Sequence, residues 1–157
     1  MIGIESRVNG RWYSMRSVLT VGTFDLTHYG HYKLFENCSH IAGFGGEVIV
    51  GVNTDEFIEK YKGKRPVLTY EERVKNIISC KYVDDVIENY SGETLAPLLE
   101  DIEPDFLVVG SDWASKDYYK QIGVTQEWLE DRRIVLVYVP YTTLISSTEI
   151  KRRLNEN

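Results

Sequence analysis

The chain has 157 residues, of which 18 are Lys or Arg and 24 are Asp or Glu, giving a formal net charge of −6. Hydrophobic residues make up 43% and charged residues 27%, which excludes a disordered or collagen-like polymer and supplies enough apolar mass for one packed core. The negative balance argues against a general nucleic-acid or membrane-surface binder, and no apolar run reaches the roughly 18 residues of a membrane span. Residues 1–17 hold Glu5, Arg7, Arg11 and Arg16 without an apolar core, so they do not read as a signal peptide. Cys38 and Cys80 lie far apart with no second cysteine near either, and they read as reduced core thiols. A cytoplasmic protein is the expectation.

Residues 1–16 stand apart as an N-terminal arm, where Asn9-Gly10 between Ile4–Val8 and Trp12-Tyr13 fits either a hairpin or a mobile segment. Residues 17–157 alternate short apolar runs with helical patterns. Ser17–Val21 reads as a strand, and Tyr29–Ala42 as a helix with Leu34, Phe35, Cys38, Ile41 and Ala42 at helical spacing. Glu47–Val52 is the second strand. Asn53 and Glu56 fit a helix N-cap pair, with a short helix running toward Lys60. Tyr61–Leu68 is basic, holds Gly63 and Pro66, and reads as a loop. Thr69 and Glu72 have capping-box spacing ahead of Val74, Ile77 and Ile78. Tyr82–Ile87 reads as a third strand, Thr94–Ile102 as a helix and Phe106–Val109 as a fourth strand. Trp113–Asp131 is helical in parts, Arg133–Val139 is a fifth strand, and a last helix starts near Ser146. Near-continuous apolar strands separated by helices predict an α/β domain whose five-stranded parallel sheet is doubly wound and covered on both faces.

In such sheets ligands bind beyond the carboxyl ends of the strands. Gly22-Thr23-Phe24-Asp25-Leu26-Thr27-His28-Tyr29-Gly30-His31 follows the first strand, Asn53-Thr54-Asp55 the second, Gly110-Ser111-Asp112-Trp113 the fourth and Tyr141 to Thr148 the fifth. Glycines, hydroxyls, carboxylates and imidazoles therefore collect at one end. His28 and His31 open a helix whose free N–H groups and positive dipole end favour a phosphate, and histidines there can donate to phosphate oxygens. Gly30 leaves room for a triphosphate to approach the backbone. A second helix start, at Ser146-Ser147-Thr148-Glu149, has capping-box spacing and also suits phosphate. Lys62, Lys64 and Arg65 stand on a loop that could close over the ligand. A zinc site is not supported, since the remaining histidine is His40 and no cysteine cluster accompanies it. No Walker A pattern occurs.

Gly22-Thr23-Phe24-Asp25-x-x-His28-x-Gly30-His31, followed later by Ile145-Ser146-Ser147-Thr148, resembles the nucleotidyltransferase superfamily of cytidylyl- and adenylyltransferases, a Rossmann-like fold. The resemblance runs from Val18 to about Leu154. Asn53-Thr54-Asp55-Glu56-Phe57, Thr69-Tyr70-Glu71-Glu72-Arg73, Lys81-Tyr82-Val83-Asp84 and Val109-Gly110-Ser111-Asp112-Trp113 are most similar to the glycerol-3-phosphate cytidylyltransferase family. The resemblance implies that His28 and His31 contact the α- and β-phosphates, with Lys64 and Thr148 joining them in catalysis. It places Gly22, Thr23, Phe24, Gly30, Asp112, Trp113, Tyr141, Thr142, Ile145 and Ser146 at the nucleotide. Asp25, Lys62 and Arg73 fall to the acceptor side, Arg73 holding phosphate and Asp25 supporting the site, while Asp55 and Asp84 look structural. The implied partners are CTP, carrying Mg²⁺, and a small phosphorylated alcohol or sugar, in a homodimer that has no protein-held metal and binds neither nucleic acid nor membrane. Tyr141 stands where the family usually has Arg, and Ser111 where it often has a second Asp. Lys62-Gly63-Lys64-Arg65-Pro66-Val67 is also similar to the sugar-phosphate adenylyltransferase domain of ADP-heptose synthesis, which keeps ATP open as the nucleotide. A nucleotide-binding module without turnover is the alternative of another class.

Overall fold

A computed structural model describes the backbone of residues 5–8 and 11–156 and the side chains of residues 15–156. Strands β1 (Glu5–Val8) and β2 (Arg11–Ser14) pair antiparallel, Glu5 opposite Ser14 and Val8 opposite Arg11. That is the hairpin alternative for the arm, although the Asn9-Gly10 turn itself lies outside the described residues. The remaining strands are β3 (Ser17–Gly22), β4 (Glu47–Asn53), β5 (Asp85–Asn89), β6 (Phe106–Gly110) and β7 (Val135–Val139). They form one five-stranded sheet in the order β5-β4-β3-β6-β7, every neighbouring pair parallel.

The helices are α1 (Tyr29–Ala42), α2 (Asp55–Lys62), α3 (Tyr70–Ile78), α4 (Ala96–Ile102), α5 (Tyr118–Ile122), α6 (Gln126–Asp131) and α7 (Ser147–Glu156). The sheet's two faces carry separate cores, which is why its strands read as unbroken apolar runs. Alternate residues point to opposite faces. Val18, Val50 and Val108 join Phe35, Cys38 and Ile77 beneath α1 and α3. Leu19, Ile49 and Leu107 join Leu98, Leu99, Tyr118 and Leu129 beneath α4, α5 and α6. Cys38 and Cys80 are free and buried in the first cluster, and burial pushes the Cys38 thiol up to about 12. No described helix is long and apolar enough to cross a membrane.

Two features of the sheet create space for a ligand. β3 pairs with β4 along its whole length, from Ser17↔Glu47 to Gly22↔Val52, but its ladder with β6 consists of Val18↔Phe106 and Leu19↔Leu107. The strands then part toward their carboxyl ends. That opening coincides with the place where the winding of the chain reverses, the switch point at which such sheets hold ligands.

Several boundaries differ from the sequence expectation. The α2 N-cap is Thr54, whose hydroxyl accepts the Phe57 N–H at 3.1 Å, while Asn53 stays in β4 opposite Asn89. Lys62 belongs to the last turn of α2 rather than to a loop, because the stop is Gly63, in the left-handed region at φ 74°. β5 begins at Asp85 instead of Tyr82. Residues 82–84 cross toward β4 as a turn, with Val83 N–H on Cys80 O and the Asp84 carboxylate accepting Val48 N–H at 2.7 Å. Arg133, at φ 57°, delays β7 until Val135.

Candidate functional site

The turn after β3 carries the first part of the site. Phe24 and Leu26 occupy the left-handed region, at φ 54° and 49°, a conformation that costs non-glycine residues energy and tends to persist at functional sites. The fold holds Phe24 there by burying its ring, 5.2 Å from Phe35 and edge-on to His31 at 5.3 Å. Gly22 is required beneath it, since a Cβ at that position would meet Phe24 Cζ at 2.9 Å.

His28 is the N-cap of α1, and the two imidazoles cap the helix together. His28 Nδ1 accepts the Gly30 N–H at 3.0 Å, His31 Nδ1 accepts the His28 N–H at 3.2 Å, and the rings stack with centroids 3.8 Å apart. Both Nδ1 lone pairs are therefore spent on backbone donors. A neutral imidazole in this state carries its proton on Nε2, so the pair presents two N–H donors of fixed tautomer. Burial, reinforced by the neighbouring His28, pushes His31 down to about 3 against an opposing pull from Asp25; burial also lowers His28. Both rings are neutral at pH 7. This corrects the expected role of the helix amides: the Gly30 and His28 N–H groups are consumed by the rings, and the imidazoles offer donors in their place. The room at Gly30 is likewise taken by the ring of His28, whose Cε1 lies 2.9 Å from where a Cβ would stand.

Asp25 ties three segments together. Its Oδ1 accepts Leu26 and Leu68 N–H at 3.0 Å, its Oδ2 accepts Val67 N–H at 2.9 Å, and Lys151 Nζ lies 3.3 Å from Oδ2. Its backbone oxygen also accepts the Ser147 hydroxyl at 2.6 Å. Burial works to raise this carboxyl, but the Leu68 and Val67 amides and Lys151 outweigh it and leave the group below its ordinary value.

A cleft of about 480 Å³ opens beside this turn, within the range of pockets that take small ligands. Of the sequence-predicted residues, Gly22, Thr23, Phe24, Asp25, His31, Lys62, Lys64 and Trp113 line it, together with Arg65. A second group lies against Gly30 and Gly110. Thr142 Cβ approaches the Gly30 position at 3.5 Å, and Tyr141 packs beside Gly110 and Asp112 while its N–H donates to Ser111 Oγ at 3.1 Å. Ser146 caps α7 by accepting Glu149 N–H at 3.0 Å; the Glu149 carboxylate turns to Arg152 and Arg153 rather than completing the box. Ile145 is half-buried before this cap, and Thr148 is exposed after it.

Arg73 departs from its expected place. It is fully buried, and its guanidinium donates to Thr23 O at 2.7 Å, Asp55 Oδ1 at 2.7 Å and Leu68 O at 3.2 Å. Fully buried, with Nε, Nη1 and Nη2 each donating inside the protein, it braces the turn after β3 instead of reaching the acceptor. Asp55 accepts from Arg73 and from the Tyr70 N–H, and Asp84 accepts the Val48 N–H, contacts of the structural kind that the resemblance implied.

Sequence reasoning missed several cleft residues. Lys151 follows Ser147 by one helical turn, so the Ser-Ser-Thr motif carried a signal for it. Asn89, Tyr61 and Gln121 had none, because their placement depends on the sheet order and on the Tyr61–Gln121 hydrogen bond of 3.1 Å.

Comparison with known proteins places the chain in a family. Glycerol-3-phosphate cytidylyltransferase of Bacillus subtilis is 36% identical over 140 residues, 89% of this chain and 98% of that protein. The Staphylococcus aureus protein of the same name is 34% identical over 89% of this chain and 96% of its own length. The crystal structure of a lipopolysaccharide core biosynthesis protein from Thermoplasma volcanium superposes with a TM-score of 0.64 at 23% identity, covering 83% of this chain and 99% of that one, a likeness of fold. Residues 19–153 match the family described as Cytidylyltransferase-like, spanning β3 through most of α7 and every element that builds the cleft; the chain belongs to that family.

Proposed function

We propose that this protein transfers CMP from CTP to glycerol 3-phosphate, releasing pyrophosphate and forming CDP-glycerol. The observation that carries the reading is the stacked His28–His31 pair, with both Nδ1 atoms engaged and both Nε2–H groups left to donate, beside the cleft that Lys62 and Lys64 line. The likeness to named glycerol-3-phosphate cytidylyltransferases over almost their whole length supports the choice of substrates.

In the reaction, an oxygen of the acceptor's phosphate uses a lone pair to form a bond to the α-phosphorus. The bond from that phosphorus to the bridging oxygen of the β-phosphate breaks, and pyrophosphate leaves with the electron pair. The attacking oxygen is already ionised at neutral pH, so no general base is needed. The enzyme's share is positioning and charge stabilisation. His28 and His31 donate to the α- and β-phosphoryl oxygens as charge shifts toward the leaving group. Lys64 and Thr148 assist them, and Lys62 and Lys64 neutralise charge from the end of α2 and the loop after it. Trp113, Asp112, Tyr141 and Thr142 flank the nucleoside. Mg²⁺ enters as part of the nucleotide substrate; Asp25, the carboxylate whose charge acts on His31, is occupied by backbone amides and Lys151. The reading carries with it a cytoplasmic homodimer.

Calorimetric titration with Mg·CTP and Mg·ATP tests the choice of nucleotide. Tenfold tighter binding of CTP, about 1.4 kcal/mol, followed by pyrophosphate release that depends on glycerol 3-phosphate, is the expected result. A preference for ATP overturns it.

A further inference from the structure

Four polar side chains form a directed hydrogen-bond relay across the carboxyl ends of β3, β4 and β5. Ser91, just after β5, donates its hydroxyl to Asn89 Oδ1 at 2.7 Å, and its backbone N–H reaches the same oxygen at 3.3 Å. Asn89 donates through Nδ2 to Asn53 Oδ1 at 2.7 Å. Asn53 in turn donates through Nδ2 to Thr23 Oγ1 at 3.4 Å, the longest link.

The direction of this relay is fixed at one end. A backbone N–H only donates, so the Ser91 amide holds Asn89 Oδ1 on its own side and turns the Asn89 nitrogen toward Asn53. Asn53 must then accept from Asn89 and present its nitrogen to Thr23. A hydroxyl whose oxygen accepts still has a hydrogen to give. Thr23 cannot give it to Asn53, which faces it with a donor, and the hydroxyl donates to none of the described residues. Thr23, Asn53 and Asn89 all line the cleft. The backbone of Thr23 is held from the opposite side by Arg73, on its carbonyl oxygen at 2.7 Å.

We propose that Asn53 and Asn89 are positioning residues whose directed hydrogen bonds hold the Thr23 hydroxyl as a donor to a phosphoryl oxygen of the bound nucleotide. The proposal rests on the nucleotide-binding reading of the cleft. A network that merely stitched β4 to β5 would tolerate reversal of its polarity. One that aims a hydroxyl would not.

Asn89→Asp keeps the shape and removes the donor. Asn53 then turns its nitrogen toward the introduced carboxylate and its oxygen toward Thr23, and the Thr23 hydrogen is drawn out of the cleft. Thr23→Val deletes the hydroxyl at nearly constant shape, and Thr23→Ser keeps it. Each protein is titrated with Mg·CTP and Mg·ATP. The expected result is a loss of about tenfold for Thr23→Val, the scale of a hydrogen bond to a charged group. Asn89→Asp loses a similar factor, Thr23→Ser retains wild-type affinity, and the double variant Thr23→Val, Asn89→Asp is no weaker than Thr23→Val alone. Additive losses, or full affinity in either single variant, overturn the relay. If Asn89→Asp does not fold, Asn53→Ala cuts the last link and takes its place in the cycle. The nucleotide preferred by the wild-type protein judges the functional reading separately: a preference for ATP defeats CTP specificity while the same variants still test the relay.

Discussion

At the amino ends of the strands a groove of about 660 Å³ runs past Met15, Glu47, Leu99 and Pro104, larger than the carboxyl-end cleft of about 480 Å³. The two differ in what their polar groups have left to offer. In the groove, Asp105 takes the Ser17 N–H at 2.8 Å, while Arg132 pairs with Glu100 at 2.9 Å and lies 3.7 Å over the Trp128 ring. In these two contacts the polar groups spend themselves on one another. In the cleft and beside it, Thr23 and the two imidazoles are fixed by bonds that consume one side of each group and leave a donor on the other. Unspent hydrogen-bonding capacity, held rigidly, distinguishes a site from a hollow.

The largest effect that would break this comparison is loss of the brace behind the cleft. Arg73→Met leaves the Asp55 carboxylate and two carbonyls without their donor, and should cost about 3–5 kcal/mol in urea denaturation. A variant of full stability with weakened nucleotide binding would instead place Arg73 in the site. Next come the donors themselves. His28→Ala or His31→Ala should lower kcat by about 10²-fold, the scale for one charge-stabilising donor, read from pyrophosphate release. Near-normal turnover in either would remove the histidines from the chemistry.

Smaller effects sharpen the picture. Gly30→Ala drives a Cβ against the His28 ring and should cost about tenfold in kcat through displacement of that ring, with a crystal structure showing the shift. Acid should destabilise the fold through the same rings. His31 has a folded value near 3 against an ordinary 6.5, so below pH 6.5 the unfolded chain binds a proton that the folded chain refuses. Stability is full above about pH 7 and declines as pH falls from 6.5 toward 3, with His28 acting in the same direction. Asp25, held below its ordinary 3.8, contributes stability above that value and loses it as pH falls from 3.8 through its lowered folded value. His31→Asn should flatten the slope of stability between pH 7 and 5. Smallest of all, Arg132→Ala at the amino-end groove breaks an exposed pair worth about 0.2–1 kcal/mol and should leave turnover unchanged.

Much of this architecture was written in local pattern. The bounds of α1 and the capping box at Thr69 followed from spacing alone, and unbroken apolar strands implied a sheet covered twice. The site was legible where a motif sits on one element, as with His28, Gly30 and His31. It failed where a role depends on elements distant in sequence. The resemblance put Arg73 on the phosphate of the acceptor, and only the approach of Thr23 and Asp55 turns it into a buried brace. Tyr82 and Val83 have the apolarity of a strand, but Asp84 bonds to Val48 and bends the backbone away from the ladder. Lys151, Asn89 and Gln121 meet only after the sheet has assembled.

The Asp25 carboxylate has a mechanical consequence. It joins the turn after β3, the stretch at Val67 and Leu68 beyond the lysines, and the start of the terminal helix, which has no buried residue of its own. Those parts cannot loosen independently. Fraying of the last helix removes the cation from Asp25 and relaxes its grip on two amides more than 80 positions earlier in the chain. In hydrogen exchange, Val67 and Leu68 should therefore open in step with α7, so that both walls of the entrance behave as a single leaf hung on one pin.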